Sequence, residues 1–442
     1  MNSLLGVSDR LDKALSFAES IKEHIQKSSI LKDYITPLYD TYSICNIPNT
    51  IMLTFGININ SKRPPLQPAD VIKEHIEGVR KLVLIVIDSL GYLQLLDYIT
   101  YDERSVVREL INRGVFLPIT STFPSTTSTG LTSLSTGLTP QEHGIIGYTM
   151  YVKVLGLVAN MISFAPAVDH RRDIMLDWGI DLRKFLGVST IYEKLSNEEV
   201  QSYILIRNHL TNTALSKMLH AGAEVCGFVN YSDFFITLRK LLEGRPNKDT
   251  CIFAYWEAYD TISHIYGPET EEARGELKTF FNTLKSELLE KLNPKVARRT
   301  ALIITGDHGQ AAISQRSVTM VSKHPKLMKN LRIPPTGDSR ASYLFSESGK
   351  IEWVKDYIQK KLKGKVDLFD SKWLMRKGFF GSNQYRPDFK ERIGDLTLIS
   401  RDDHAFVYPY KGHEEYTLKG AHGGLSPEEA LVTFICTRLA GR

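Results

Sequence analysis

Lys81-Leu-Val-Leu-Ile-Val-Ile-Asp88 is the stretch on which the fold turns. Six apolar residues follow Lys81 without alternation and stop at an acid. A strand with one wet face would alternate, so this one is expected to be buried on both faces, as strands of parallel sheets are. Similar runs recur at SYILI (202–206), CIFAYWE (251–257), ALIITGD (301–307) and LVTFI (431–435). Helical patterns lie between several of them, the clearest from Glu271 to Leu292. The reading is an α/β protein with a mostly parallel sheet and helices on both faces. Ligands of such sheets bind beyond the carboxyl ends of the strands.

Before Lys81 the chain carries an apolar repeat of three to four residues from Leu11 to Ile25 and a Pro-rich stretch, SKRPPLQP, at 61–68. Residues 1–80 are expected to be a lead-in packed on the core. Residues 81–442 read as one large domain. From about 310 to 419 the strand–helix rhythm breaks, around Pro334, Pro335 and the aromatic, basic SKWLMRKGFFGSNQYRP. That part is expected to be an insertion over the site. The 42% hydrophobic and 24% charged content of the 442 residues is that of a globular chain with a large core. A net charge of +5 suits an anionic substrate, and there is no dense basic tract of the kind that wraps nucleic acid. No run approaches the roughly 18 apolar residues of a membrane helix. The N-terminus has no apolar core of a signal peptide. Cys45, Cys226, Cys251 and Cys436 are widely spaced and read as buried thiols, which points to a cytoplasmic protein.

The residues that carry chemistry sit at strand ends. Asp88 closes the first run, Asp260 and His264 form DTISH just after CIFAYWE, Asp307 and His308 close ALIITGD, and His422 lies in GAHGG. Singly, each has an ordinary explanation: a helix cap, a solvated helix face, a stray histidine such as His143, His170, His209, His220, His324 or His404. Together, three carboxylates and three imidazoles make a ligand mixture suited to Zn²⁺ and related ions, enough for two. His413 is a spare candidate beside His422. Two metals about 4 Å apart can hold the attacking and leaving oxygens of an in-line displacement at phosphorus. The hydroxyl-rich stretch TSTFPSTTSTGLTSLSTGLT (120–139) follows a strand-like VFLPIT and precedes a helix of small residues. A hydroxyl at that helix's N-terminus feels the positive end of its dipole, and a metal ion beside it would favour the alkoxide, which an unaided Thr does not supply near neutral pH.

These residues resemble the alkaline phosphatase superfamily, and within it the type I phosphodiesterase/nucleotide pyrophosphatase branch. Asp260-x-x-x-His264-x-Tyr266-Gly267-Pro268 is similar to that branch's D-x-x-G-H-x-Y-G-P, with Ser263 in place of Gly. Asp307-His308-Gly309 is similar to its S/T-D-H-G, with Gly306 before the Asp. Thr136-Gly137, Pro140 and His143-Gly144 resemble its TG-x-x-P-x-x-HG. The resemblance runs from about Lys81 to Phe434 and implies an alkaline phosphatase-like catalytic domain. The branch's nucleophile lies ten residues before the Gly of TG, which implies Thr127; Thr122, in TFPS, and Thr126 are the rivals. It further implies one metal, Zn²⁺ with Mn²⁺ as the alternative, on Asp260, His264 and His422. A second would sit on Asp88, Asp307, His308 and Thr127. Where the branch has an Asn that binds a phosphoryl oxygen, this chain has Tyr148. Arg340, in GDSR, is the candidate phosphate clamp, with a buried ion pair as its alternative.

What the resemblance implies is a phosphodiesterase or nucleotide pyrophosphatase that works through a phosphothreonyl ester on a nucleotide-like phosphate ester. The alternatives are a phosphomonoesterase, a phosphonate hydrolase or a phosphomutase. The GAHGGLSPEEA ending also resembles PglZ-type members, which adds a metal-binding interaction module. Nothing reads as a sulfatase's C/S-x-P-x-R, and SLGYLQ after the first strand lacks a dinucleotide-binding G-x-G-x-x-G. A stacking wall for a second ester group is expected from Trp373 to Tyr385.

Overall fold

Lys81–Ile87 forms the central strand, β1, of a seven-stranded sheet. The computed structural model describes residues 2–57, 63–244, 247–382, 384–412 and 416–440. His413, Asn383 and the first two residues of SKRPPLQP lie outside the described residues. The other strands are β2 (Val115–Thr120), β3 (Gln201–Arg207), β4 (Glu224–Phe228), β5 (Thr250–Trp256), β6 (Thr300–Thr305) and β7 (Leu431–Arg438), in the spatial order β2-β7-β6-β1-β5-β3-β4.

The unbroken apolar runs have the cause read from sequence. In β1, Val83, Ile85 and Ile87 enter one hydrophobic core while Leu82, Leu84 and Val86 enter another on the opposite face. β5 divides the same way, with Ile252, Ala254 and Trp256 against Cys251, Phe253 and Tyr255. A strand sandwiched between two helical layers has no wet face, so it cannot alternate. β1 pairs in parallel with β5 and β6, and β3 with β4 and β5. β7 is the exception, antiparallel to both β2 and β6. An apolar run carries no sign of direction.

The lead-in packs on both faces. Leu11, Ala18 and Ile25 of α1 (Asn2–Lys27) join the first core, and Ile47, Ile51, Ile72 and Ile76 join the second. Among the described residues, no helix is long and apolar enough to cross a membrane.

A second seven-stranded sheet is antiparallel throughout. Its order is Val366–Asp370, Leu396–Ser400, Ala341–Ser346, Leu331–Gly337, Thr149–Val152, Leu157–Asn160, Ala165–Pro166. The part of the chain from 310 to 419 therefore shares its sheet with 149–166. The two meet where Gly337 pairs with Thr149, which brings Asp338 beside Tyr148.

Candidate active site

The carboxyl ends of β1, β5 and β6 and the segment before β7 converge. Asp88 follows β1, and its N–H donates to Trp256 O of β5, 2.9 Å away. Ser89 takes φ 67, an unusual value for a residue with a Cβ, and turns its N–H onto Asp307 Oδ1 at 3.1 Å. The same oxygen accepts the His308 N–H at 3.0 Å. α3 (Ala258–Tyr266) carries Asp260 and His264 one turn apart on one face. A two-residue antiparallel pairing of Ala311–Ala312 with Gly420–Ala421 draws His422 to the end of β6.

α2 (Thr127–Thr136) begins with Thr127. Its closeness to β6 needs a small residue: a Cβ on Gly130 would stand 3.0 Å from that of Asp307. Thr127 Oγ1 lies 3.1 Å from His308 Nε2. Ser121, Thr122, Ser125, Thr126, Ser128 and Thr129 are all buried, whereas Thr127 is partly exposed. Thr122, the rival by wording, spends its hydroxyl on Pro124 O at 2.9 Å.

The three imidazoles are held alike. Nδ1 of His264, His308 and His422 lies 2.7, 3.0 and 3.2 Å from the carbonyls of Gly420, Gly309 and Ser125. A carbonyl only accepts, so each neutral ring carries its proton on Nδ1 and presents a lone pair at Nε2. Those lone pairs face carboxylates. His264 Nε2 is 3.3 Å and His422 Nε2 3.8 Å from Asp260 Oδ1. His308 Nε2 is 3.4 Å from Asp88 Oδ1 and 3.7 Å from Asp307 Oδ2. Asp88 Oδ1 and Asp307 Oδ2 are buried and have no hydrogen-bond donor. Lone pairs facing lone pairs in a buried place are electrostatically unfavourable unless cations lie between them. The residues therefore fit divalent metals. Donor atoms of Asp260, His264 and His422 lie within 4.8 Å of one another, as do those of Asp88, Asp260 and His308. Asp260 belongs to both groups.

Burial, aided by like charges around Asp88 and His422, shifts the site's titrations. Burial, with Asp307 and then Asp260 nearby, holds the Asp88 carboxyl well above the usual range. Burial also raises Asp307. Burial, followed by His308 and His264, keeps His422 well below the usual imidazole range.

Three neighbours escaped the sequence reading. Tyr255, in the middle of an apolar run, donates its hydroxyl to Asp88 Oδ2. Gln310 Nε2 donates to Asp260 Oδ1 at 3.0 Å. Asp338 accepts from Thr126 Oγ1 at 2.9 Å and from the Tyr148 N–H at 3.3 Å, and desolvation pushes its carboxyl up to about 7. Only the Tyr255 phenol was in principle visible, as a polar tip in a strand that must bury both faces.

A cavity of about 440 Å³ opens from His264 and His422 past Asp338 to an aromatic wall of Phe406, Tyr408, Tyr410 and Tyr416. Tyr148 lines it, 46% exposed. Two expectations need correction. The wall is not Trp373–Tyr385: Phe379 and Phe380 are buried against Phe123, and Trp373 stacks on Phe369. Arg340 is no free clamp. It is 1% exposed, with Nε and Nη2 on Glu429 at 3.2 and 2.8 Å and Nη1 on the carbonyls of Arg401, Asp402 and His404. A fork with every nitrogen engaged has none left for phosphate.

The family model of type I phosphodiesterases / nucleotide pyrophosphatases matches residues 82–425. Comparison with curated protein sequences yields no match. Murine ectonucleotide pyrophosphatase / phosphodiesterase 5 superposes with a TM-score of 0.61 at 16% identity, over 80% of this chain and 87% of that one. An inactive form of the murine protein in complex with AMP gives 0.60 at 15%, over 80% and 87%. Phosphonoacetate hydrolase from Sinorhizobium meliloti in complex with phosphonoformate gives 0.60 at 20%, over 82% and 91%. These structures share the alkaline phosphatase-like α/β arrangement.

Proposed function

Because the chain belongs to the type I phosphodiesterase/nucleotide pyrophosphatase family, a family of phosphoric ester hydrolases, we propose that it cleaves phosphodiester or phosphoanhydride bonds at Thr127. The observation that carries this reading is the partly exposed Thr127 hydroxyl 3.1 Å from His308 Nε2, beside carboxylate and imidazole lone pairs that bound cations would reconcile. Asp260, His264 and His422 would hold one divalent ion, Zn²⁺ or Mn²⁺, and Asp88, Asp307, His308 and Thr127 a second. Such ions supply positive charge that acidifies a hydroxyl or water and steadies a leaving oxygen.

The residues then act in two in-line steps. Thr127 Oγ bonds to phosphorus as the bond to the leaving oxygen breaks, and the hydroxyl proton ends on that oxygen, giving a phosphothreonyl ester and a free alcohol or phosphate. Water next bonds to phosphorus, the Oγ–P bond breaks, and Thr127 recovers its proton. Tyr148, which lines the cavity, would donate its phenol to a non-bridging oxygen. The cavity offers the second ester group an aromatic face, which suits a nucleoside; AMP bound to the murine protein motivates that probe. A dianionic monoester calls for an extra cation, and Arg340 is committed elsewhere. The four free thiols support an intracellular setting.

The test is a kcat/KM comparison with Zn²⁺ and Mn²⁺ on bis-p-nitrophenyl phosphate, thymidine-5′-p-nitrophenyl phosphate, p-nitrophenyl phosphate and phosphonoacetate. Diesters are expected to lead. A monoester advantage of about tenfold, roughly 1.4 kcal/mol of transition-state preference, rejects the phosphodiesterase reading. Turnover of phosphonoacetate alone moves it to phosphonate hydrolysis.

A further inference from the structure

Thr126 occupies the N-cap of α2 with extended backbone, φ −143 and ψ 149, yet its side chain makes no cap hydrogen bond. That is unusual, because a Thr there ordinarily accepts the N–H of the second or third helical residue. Here the hydroxyl is turned away and donates to Asp338 Oδ1 at 2.9 Å. The Thr126 carbonyl serves Thr129 and Gly130. The Ser128 N–H, second in the helix, consequently has no acceptor among the described residues, and neither has the Thr127 N–H, which a cap does not reach.

The same carboxylate holds the Tyr148 N–H at 3.3 Å through either oxygen. Asp338 is wedged in place: a Cβ on Gly423 would lie 2.7 Å from its own Cβ, and one on Gly147 3.2 Å from Oδ2. Ser128 Oγ adds a second tie between α2 and this loop, donating to Gly147 O at 2.8 Å. Among the described residues no cation pairs with Asp338, so its bonds to Thr126 and Tyr148 are not by-products of an ion pair.

We infer that Asp338 is a positioning residue for phosphoryl transfer: by engaging the Thr126 hydroxyl it keeps the cap of α2 open, so that the Ser128 N–H remains free for a phosphoryl oxygen next to the Thr127 N–H, and it anchors the Tyr148 backbone. This rests on the hydrolase reading above. Removing the carboxylate frees the Thr126 hydroxyl to swing back and cap the helix. The cap then occupies a donor that the reaction uses, and helix stability gains what catalysis loses.

Four metal-loaded proteins test this: wild type, Asp338→Ala, Asp338→Asn, and Asp338→Ala combined with Thr126→Val. The measurements are kcat and KM on bis-p-nitrophenyl phosphate, affinity for inorganic phosphate, Tm and metal content. Asp338→Ala is expected to lower kcat at least tenfold with metal content unchanged and Tm held. Asp338→Asn, which keeps an acceptor for Thr126, should recover most of that loss. The double variant has no hydroxyl left to cap the helix, so it should exceed Asp338→Ala in kcat at least threefold. A double variant no better than Asp338→Ala, or an Asp338→Ala kcat within threefold of wild type, overturns the inference. A wild type that turns over no diester instead sinks the phosphodiesterase reading. The same ranking of variants is then read from phosphate affinity, where equal affinities overturn the inference as well.

Discussion

Replacing Arg340 by Met separates a phosphate clamp from a structural ion pair. In the structure the guanidinium and the Glu429 carboxylate are both fully buried, 2.8 Å apart at closest. Removing the guanidinium leaves Glu429 with the Gly424 N–H at 2.8 Å but no countercharge. Stranding one partner of a buried pair costs about 3–5 kcal/mol. The carbonyls of Arg401, Asp402 and His404 lose their shared donor besides. An unfolding entropy of about 2.1 cal/mol/K per residue over 442 residues gives roughly 0.9 kcal/mol/K, so the loss appears as a fall in Tm of about 3–5 °C. Calorimetry on metal-free protein reads this without interference from metal binding. Adding Glu429→Gln removes the stranded charge while keeping an acceptor for Gly424, and should restore part of the Tm. The ratio of diester to monoester kcat/KM should stay where wild type has it. A variant with unchanged Tm and a selective tenfold loss of monoester turnover refutes the structural reading and returns Arg340 to the phosphate.

Thr127→Ala should abolish turnover with metal content and Tm retained, whereas Thr122→Ala should keep at least part of the activity; the reverse pattern on bis-p-nitrophenyl phosphate moves the nucleophile to Thr122. His220, away from the site, supplies a pH prediction. Burial depresses its pKa to about 3 from 6.5, and the ring packs against Tyr192 and Phe253. Below 6.5 the unfolded chain takes up a proton that the folded chain refuses, so stability falls with falling pH, by about 2 kcal/mol at pH 5. His220→Phe should remove that increment: its stability relative to wild type, from urea unfolding, should improve between pH 8 and pH 5, and a constant difference rejects the assignment.

What the sequence determined by itself is whatever local chemistry records. Six apolar residues after Lys81, recurring in similar runs between helical patterns, read as a strand buried on both faces, and an acid or histidine just past such a run falls at the edge where α/β sheets bind ligands. The strand-end positions of Asp88, Asp260, His264, Asp307, His308 and His422 were legible on that ground, whereas Thr127 was singled out by the family resemblance, whose nucleophile lies ten residues before the Gly of TG. Direction was not: hydrophobicity has no polarity along the chain, so antiparallel β7 looked like its neighbours. Nor were contacts between remote segments. Asp338 meets Thr126 across 212 residues, and Gln310 meets Asp260 across 50. Asp338 directly follows Gly337, which pairs with Thr149, and Gln310 directly precedes Ala311, which pairs with Ala421, so both residues stand where remote segments meet. Trp373–Tyr385 and 406–416 are both aromatic, and nothing local distinguishes a segment that fills a core from one that lines a cavity. For Arg340, charge marked the residue, but its partner was decided by the fold. The fold seats Glu429 opposite it and closes the carbonyls of Arg401, Asp402 and His404 around it, so that solvation lost on burial is replaced by five hydrogen bonds rather than by substrate.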